Sequence, residues 1–356
     1  MSVVSHSVKM PPGPKRRPTQ ADVARRAGVS TATVSHVVSG RSDRKGGGNV
    51  ETRQRVEQAM EELGYRPNWA GRALRRQRTG LVGALVSAPS NPWRESLVAL
   101  AQTELARHDL DLVVFPDARP GTGLDRVMDL LDRRAVDACF TVHLEDDDHP
   151  SDLGKRPIPA LAFAESGFEG VPKVRHGYAR AAERCASQLA SRGVRRFVIV
   201  RERGDSSAAS DPLFTTPILQ ALDRESPEAE ILLSDVDHLI GGELPDVPWG
   251  RLETATPSDP VALLCKSDRI AIQAVQEAAR RGIAVGESVG IVGRGDLEES
   301  AQRGVSTLGA LGADYSEAFA ALAEAAKTGQ PIAQEWTFPW SFIERETTRA
   351  LKKPAG

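Results

Sequence analysis

Thr31, Ala32, Ser35, His36 and Ser39 fall on one face of the segment STATVSHVVSG, Ser30 to Gly40. Their short and medium side chains can exchange hydrogen bonds with base edges and let a backbone approach a groove wall, which is recognition chemistry rather than group transfer. Periodicity alone fits an ordinary helical hairpin with a polar outer face equally well. Charge separates the two readings. Residues 1–80 hold 16 Lys+Arg against 6 Asp+Glu, and the remaining residues hold 30 against 42. The net charge of −2 thus conceals a basic end on an acidic body, as expected of a nucleic-acid binder whose body stays off the phosphates.

Other chemistries find less support. GIVGRG, Gly290 to Gly295, is not the GxGxxG of dinucleotide sites, and a serine nucleophile elbow is not expected. The acidic run Glu145 to Asp148, with His143 and His149, holds metal-ligand residue types, but consecutive carboxylates fit a solvated loop better. Gly46 to Gly48 have no strand before them and no Lys-Ser/Thr pair after them, so they read as a mobile loop. Arg41, Arg44 and Lys45 beside them can touch a DNA backbone. Cys139, Cys185 and Cys265 are too scattered for a disulfide framework or a zinc site and read as buried thiols. No enzyme activity, cofactor or metal is expected. Without an apolar leader or a membrane-length apolar run, the expected location is the cytoplasm, with no membrane partner.

The elements that must position the polar face are short helices. Ala21, Val23, Ala24 and Ala27 place small apolar groups at helical spacing, and Thr19 with Asp22 forms an acidic variant of the capping box, so one helix starts near Gln20. Gly28 can end it. Ser30 can cap a second helix from Thr31, with Val34, Val37 and Val38 inward. Glu51 to Gly64 reads as a third helix that buries Val56, Ala59, Met60 and Leu63. PNWAGRALRRQR, Pro67 to Arg78, is cationic and too short to be stably helical alone in water. Beyond Thr79, LVGALVSA, DLVVFP, ACFTVH and IPALAFA, then RFVIVRE, EILLSD, VALLCKS and VGIVGRG, read as buried parallel strands alternating with helices. Two open α/β lobes of that kind place a ligand cleft at the carboxyl ends of their strands.

ADVARRAGVSTATVSHVVSG, ETRQRVEQAMEELGYRPNWAGRALR and TGLVGALV, in that order, resemble the start of a lactose-repressor (LacI/GalR) family transcription regulator, and FIERETTRAL resembles the family's terminal strand. The resemblance runs from Pro18 almost to the C-terminus. It implies an all-α N-terminal helix-turn-helix domain plus hinge, then an α/β core of two Rossmann-like lobes resembling periplasmic sugar-binding proteins. The expected divisions are a disordered basic arm at 1–17, a DNA-binding domain at 18–66, a hinge helix at 67–79, an effector-binding and dimerisation core at 80–350, and a tail at 351–356. Within the core, lobe 1 takes about 80–173 and 308–334, and lobe 2 about 174–307 and 335–350.

The same resemblance assigns roles. Thr31, Ala32 and His36 occupy the main specificity positions, with histidine where arginine is usual, so the operator should differ from the common ones. Thr33, Ser35 and Ser39 would hold phosphates, and Thr19, Asn68, Ala73 and Arg75 complete the DNA set. Leu74 matches the hinge leucine that wedges between base steps in the minor groove. Gly71, where alanine is usual, should weaken the hinge helix by about 1 kcal/mol. One such domain makes few contacts, so a homodimer on a pseudo-palindromic operator is expected.

Sugar-binding members of the family carry an arginine at the start of a lobe 2 helix, an Asn-Asp pair and paired aspartates. Here those places hold Phe214, Ser267-Asp268 and Arg294-Gly295-Asp296. Asn91, Trp93, Phe214, Asp268 and Asp296 are the candidate effector residues, the indole stacking on a ring and the carboxylates accepting hydroxyl hydrogens. Loss of the arginine argues against an ordinary monosaccharide and leaves a less polar or cationic effector, or none. The expected function is a sequence-specific, nucleoid-associated DNA-binding repressor with a small-molecule-responsive core. The alternative is a DNA-binding regulator whose core has lost small-molecule sensing and serves dimerisation or a protein partner.

Overall fold

Thr19 opens the first helix by bonding across its first turn: its hydroxyl accepts the Asp22 N–H at 3.4 Å, and the Asp22 carboxylate accepts the Thr19 N–H at 2.9 Å. This satisfies two backbone donors that a helix start leaves open. The computed structural model describes residues 18–38, 50–66, 73, 77–86, 92–116, 124–142, 152–202, 213–236, 244–310 and 312–351. They divide into two compact units, Met1–Thr79 and Gly80–Gly356.

In the first unit, α1 (Gln20–Ala27) ends at Gly28, whose φ of 67° lies in the left-handed region that glycine tolerates. The Ser30 hydroxyl accepts the Thr33 N–H at 3.1 Å and so caps α2 (Thr31–Val38). The third helix, α3 (Val50–Leu63), closes a core of Val23, Ala24, Ala27, Val34, Val56, Ala59 and Tyr65. Val37, Val38, Met60 and Leu63 pack only at its margin, and Ala21 is exposed rather than inward. Two turns of helix bury one narrow stripe, and position 21 lies on the opposite side from 23, 24 and 27. An Arg26–Glu62 ion pair ties α1 to α3.

The second unit contains two six-stranded sheets. The first runs β11–β5–β4–β3–β1–β2, built from β1 (Leu81–Val86), β2 (Asp111–Pro116), β3 (Ala138–Val142), β4 (Ala160–Phe163), β5 (Lys173–Arg175) and β11 (Trp336–Thr337). The second runs β12–β10–β9–β8–β6–β7, built from β6 (Arg196–Glu202), β7 (Glu230–Val236), β8 (Val261–Cys265), β9 (Val289–Arg294), β10 (Ser306–Gly309) and β12 (Ser341–Ile343). Their pairings are parallel except β10 with β12, which is antiparallel. Helices α4 (Pro92–Ala106), α5 (Leu124–Asp132) and α11 (Ser316–Thr328) belong with the first sheet. Helices α6 (Tyr178–Ser191), α7 (Thr215–Glu225), α8 (Trp249–Glu253), α9 (Asp268–Arg280), α10 (Glu298–Gln302) and α12 (Glu346–Arg349) belong with the second. Each sheet has an apolar core on both faces, which is why its central strands are uninterrupted hydrophobic runs. The edge strands β2 and β7 are not fully buried, and Val114 and Leu233 are exposed.

The chain passes between the sheets three times, after β5, between β10 and α11, and between β11 and β12. The crossings fall later than the family pattern implied. Leu308 and Gly309 belong to the second sheet, while Val174, Arg175, Trp336 and Thr337 belong to the first. Backbone pairing decides this: two of the crossings run side by side, with Phe338 N–H donating to Arg175 O at 2.8 Å and Trp340 N–H to His176 O at 2.7 Å. Cys139, Cys185 and Cys265 are all buried free thiols.

Candidate functional site

In the helical unit, α2 turns Val34 inward and leaves Thr31, Ala32 and His36 exposed, with Thr33 and Ser35 half-buried beside them. The Thr33 hydroxyl shares a 2.9 Å hydrogen bond with Ser30, and the exposed Thr19 hydroxyl donates to Asp22 at 2.7 Å, so both already serve caps. Ala73 is helical and half-buried, and its carbonyl accepts the Arg78 N–H at 3.1 Å. Ser39, Asn68, Leu74 and Arg75 lie outside the described residues, as do the arm, the loop with Gly46 to Gly48, Asn91 and the acidic run with His143 and His149.

The core cleft is more altered than its sequence suggested. Trp93, at the start of α4, packs against the hydrophobic cores of both lobes. Its ring stands edge-on to His176 at 5.3 Å, Trp340 at 5.7 Å and Tyr178 at 6.1 Å. His176 is fully buried, with Nδ1 2.8 Å from the Tyr178 hydroxyl and Nε2 2.9 Å from the Tyr315 hydroxyl. A neutral imidazole suits that pair, one nitrogen donating and the other accepting. Burial first, and the charge of Arg294 second, lower its pKa to about 3. Burial likewise pushes the Tyr178 and Tyr315 hydroxyls up. The Glu165 carboxylate holds the adjoining crossing by accepting the His176 N–H at 2.7 Å and the Gly177 N–H at 3.0 Å.

The two candidate aspartates face inward to other partners. Asp268 is fully buried, accepting the Thr307 hydroxyl at 2.5 Å and the Leu297 N–H at 2.8 Å, and burial raises its pKa. Asp296 pairs with Arg345 at 2.6 Å and sits at φ 51°, an uncommon angle for a residue with a side chain. Asp268 is enclosed by these partners, whereas Asp296, although ion-paired through one oxygen, also lines a cavity with Trp93, Gly295 and Tyr315. Both are held by close backbone approach: a Cβ on Gly293 would lie 2.2 Å from the Asp268 carboxylate, and one on Gly309 2.2 Å from the Asp296 Cβ. Phe214 is buried and caps no helix hydrogen bond.

Arg294, the last residue of β9, supplies a group that was not among the candidates. Its guanidinium carbon lies 5.1 Å from the Tyr178 ring centroid, 5.8 Å from Trp340 and 5.9 Å from Phe214. The signal lay in the triplet Arg294-Gly295-Asp296, where an arginine directly precedes the turn expected to carry paired aspartates and glycine takes the first aspartate's place. The aromatic cluster left no such signal, because two of the chain's three tyrosines, Tyr178 and Tyr315, meet here from distant positions. GESVG, Gly286 to Gly290, does match the serine-elbow spacing, against expectation. Ser288 precedes β9 instead of following a strand, and its hydroxyl donates to Ala284 O at 3.1 Å.

Residues 19–68 match the model of bacterial regulatory proteins of the lacI family, and residues 186–348 match a periplasmic binding protein-like domain. Catabolite control protein A of Staphylococcus epidermidis is 26% identical over 273 residues, covering 76% of this chain and 80% of that protein. The ribose operon repressor of Haemophilus influenzae is 26% identical over 289 residues, covering 79% and 82%. Among solved structures, a LacI family regulator from Silicibacter pomeroyi superposes with a TM-score of 0.73 at 22% identity, covering 94% of this chain and 99% of that one. The lac repressor dimer bound to operator and an anti-inducer superposes at 0.65 and 20% identity, over 94% and 99%. The chain thus joins a lacI-family helix-turn-helix domain at residues 19–68 to a two-lobed α/β core that carries a periplasmic binding protein-like domain at residues 186–348.

Proposed function

We propose that the protein is a cytoplasmic repressor that binds a pseudo-palindromic operator as a homodimer and adjusts its grip through a small molecule held in the core. The observation that carries this reading is the exposed Thr31, Ala32 and His36 face of α2 on a unit rich in Lys and Arg. Such a face reads base edges in the major groove while neighbouring cations neutralise phosphates. Thr19, Thr33, Ser35 and Ser39 set register on the backbone, and Asn68, Ala73, Leu74 and Arg75 form the hinge contact in the minor groove. A core kept only for dimerisation would not need a charged group buried among aromatic rings, so the responsive reading is favoured.

Selection of binding sites from a random DNA pool tests the reading. An enriched inverted repeat is expected, with affinity that falls steeply with salt, the logarithmic slope being about −0.9 per phosphate contact. Leu74→Ala should weaken binding to the selected site by about tenfold or more. A pool that yields no enriched sequence would count against a specific operator.

A further inference from the structure

Arg294 is 7% exposed, and its Nη2 is buried with no hydrogen-bond partner. Among the described residues no carboxylate lies within ion-pair distance of it. The acids nearest in the fold are engaged elsewhere, Asp296 with Arg345, Asp268 with Thr307 and Leu297, and Glu165 with the backbone of His176 and Gly177. A guanidinium cannot lose its charge in a protein, and a buried charge without a counter-ion is costly unless something pairs with it. Thr215, which follows Phe214 at the start of α7, is also buried, and its hydroxyl has no partner. Both open donors flank Phe214, at the carboxyl end of the second sheet, where open α/β sheets bind ligands.

We propose that this cleft binds a small organic anion, its oxyanion group paired with Arg294 and hydrogen bonded by Thr215, and its body against the rings of Tyr178, Phe214 and Trp340. The proposal rests on the effector-responsive reading of the core and names the ligand class. It also reverses the charge expected from the sequence: the cation stands at the end of β9, Asp268 is committed to Thr307 and Leu297, and Asp296 is paired with Arg345. Trp93 lies against two of the three rings around Arg294 and also lines a cavity of about 200 Å³ together with Gly295, Asp296 and Tyr315.

The test uses the full-length protein, with benzoate and phenyl phosphate as anionic probes and benzamide and benzyl alcohol as their neutral counterparts. Melting temperature reports binding, and affinity for the pool-selected operator reports response. The anions should raise the melting temperature saturably, by about 2 °C or more at high occupancy, and the neutral probes should not. Arg294→Met should abolish the rise while melting no lower than the wild type without ligand. Arg294→Lys, which keeps the charge but not the planar fork, should weaken anion binding by about tenfold. Equal shifts with neutral probes, no shift with either anion, or an undiminished shift in both variants overturns the proposal. So does an Arg294→Met protein that melts several degrees lower unliganded, since the guanidinium would then be structural mortar. Anion binding that leaves operator affinity unchanged would instead refute the responsive reading while the anion site stands.

Discussion

The Arg294 guanidinium carbon lies 5.9 Å from the centroid of the Phe214 ring. Phe214 opens α7 and Arg294 ends β9, so a helix-borne ring and a strand-borne arginine of the same lobe meet at the carboxyl end of the second sheet. Four consequences can be measured.

His176 makes the core acid-sensitive. Its folded pKa of about 3 lies below the ordinary 6.5, so the neutral form is favoured in the folded state. The associated stability is complete above about pH 6.5 and is lost as pH falls from there toward 3, at up to about 1.4 kcal/mol per pH unit. Melting temperature should therefore drop faster below about pH 6.5 in the wild type than in His176→Gln, which does not titrate in this range. Parallel curves would show that another group governs acid unfolding.

Gly293 allows Asp268 to approach. A methyl group there would sit 2.2 Å from the Asp268 carboxylate and 2.9 Å from its Cα, and the second neighbour is backbone that cannot simply rotate away. Gly293→Ala is expected to destabilise the core by about 1–3 kcal/mol or more through overpacking. Chemical denaturation curves will decide it, an unchanged midpoint meaning that α9 is free to shift.

The helical unit depends on a few contacts. Thr19→Ala removes the hydroxyl half of the capping box, leaving the Asp22 carboxylate on the backbone N–H of residue 19, and should cost about 1 kcal/mol. Val34 is fully buried, and Val34→Ala should cost about 2 kcal/mol from two lost methyl groups and the space they leave. Helical signal followed during heating, together with DNA affinity, should fall in the order wild type, Thr19→Ala, Val34→Ala.

His36 is exposed on the reading face. Replacing it by alanine should weaken binding to the selected operator by about tenfold, the loss of one base contact, while leaving binding to random DNA nearly unchanged. Arginine at the same position should change which sequence the pool selection returns. If His36→Ala lowers specific and non-specific binding equally, the residue touches phosphate instead of a base.

Much of the architecture was legible because it depends on local rules. Thr19 with Asp22, Gly28, Ser30 and Gly64 mark helix ends through the hydrogen bonds and left-handed angles that ends require. The central strands announced themselves as apolar runs because both faces of each sheet are covered. The errors are equally physical. Ala21 is small enough to fit either environment, so its type does not reveal its side. The crossings were displaced by a few residues because a strand's sheet is chosen by its neighbour's backbone, as with β5 and β11, and not by its own side chains.

By itself, then, the sequence determined a polar-faced helix in a basic N-terminal region, an acidic α/β body and the alternation that builds it, since charge, periodicity and caps act over a few residues. Only tertiary structure decided what the cleft is made of. Trp93, His176, Tyr178, Phe214, Arg294, Tyr315 and Trp340 are separated by up to hundreds of positions and meet because the chain crosses between the lobes three times. Whether a carboxylate is open or committed, and whether a buried arginine has a partner, depends on those distant neighbours, and no local pattern encodes it.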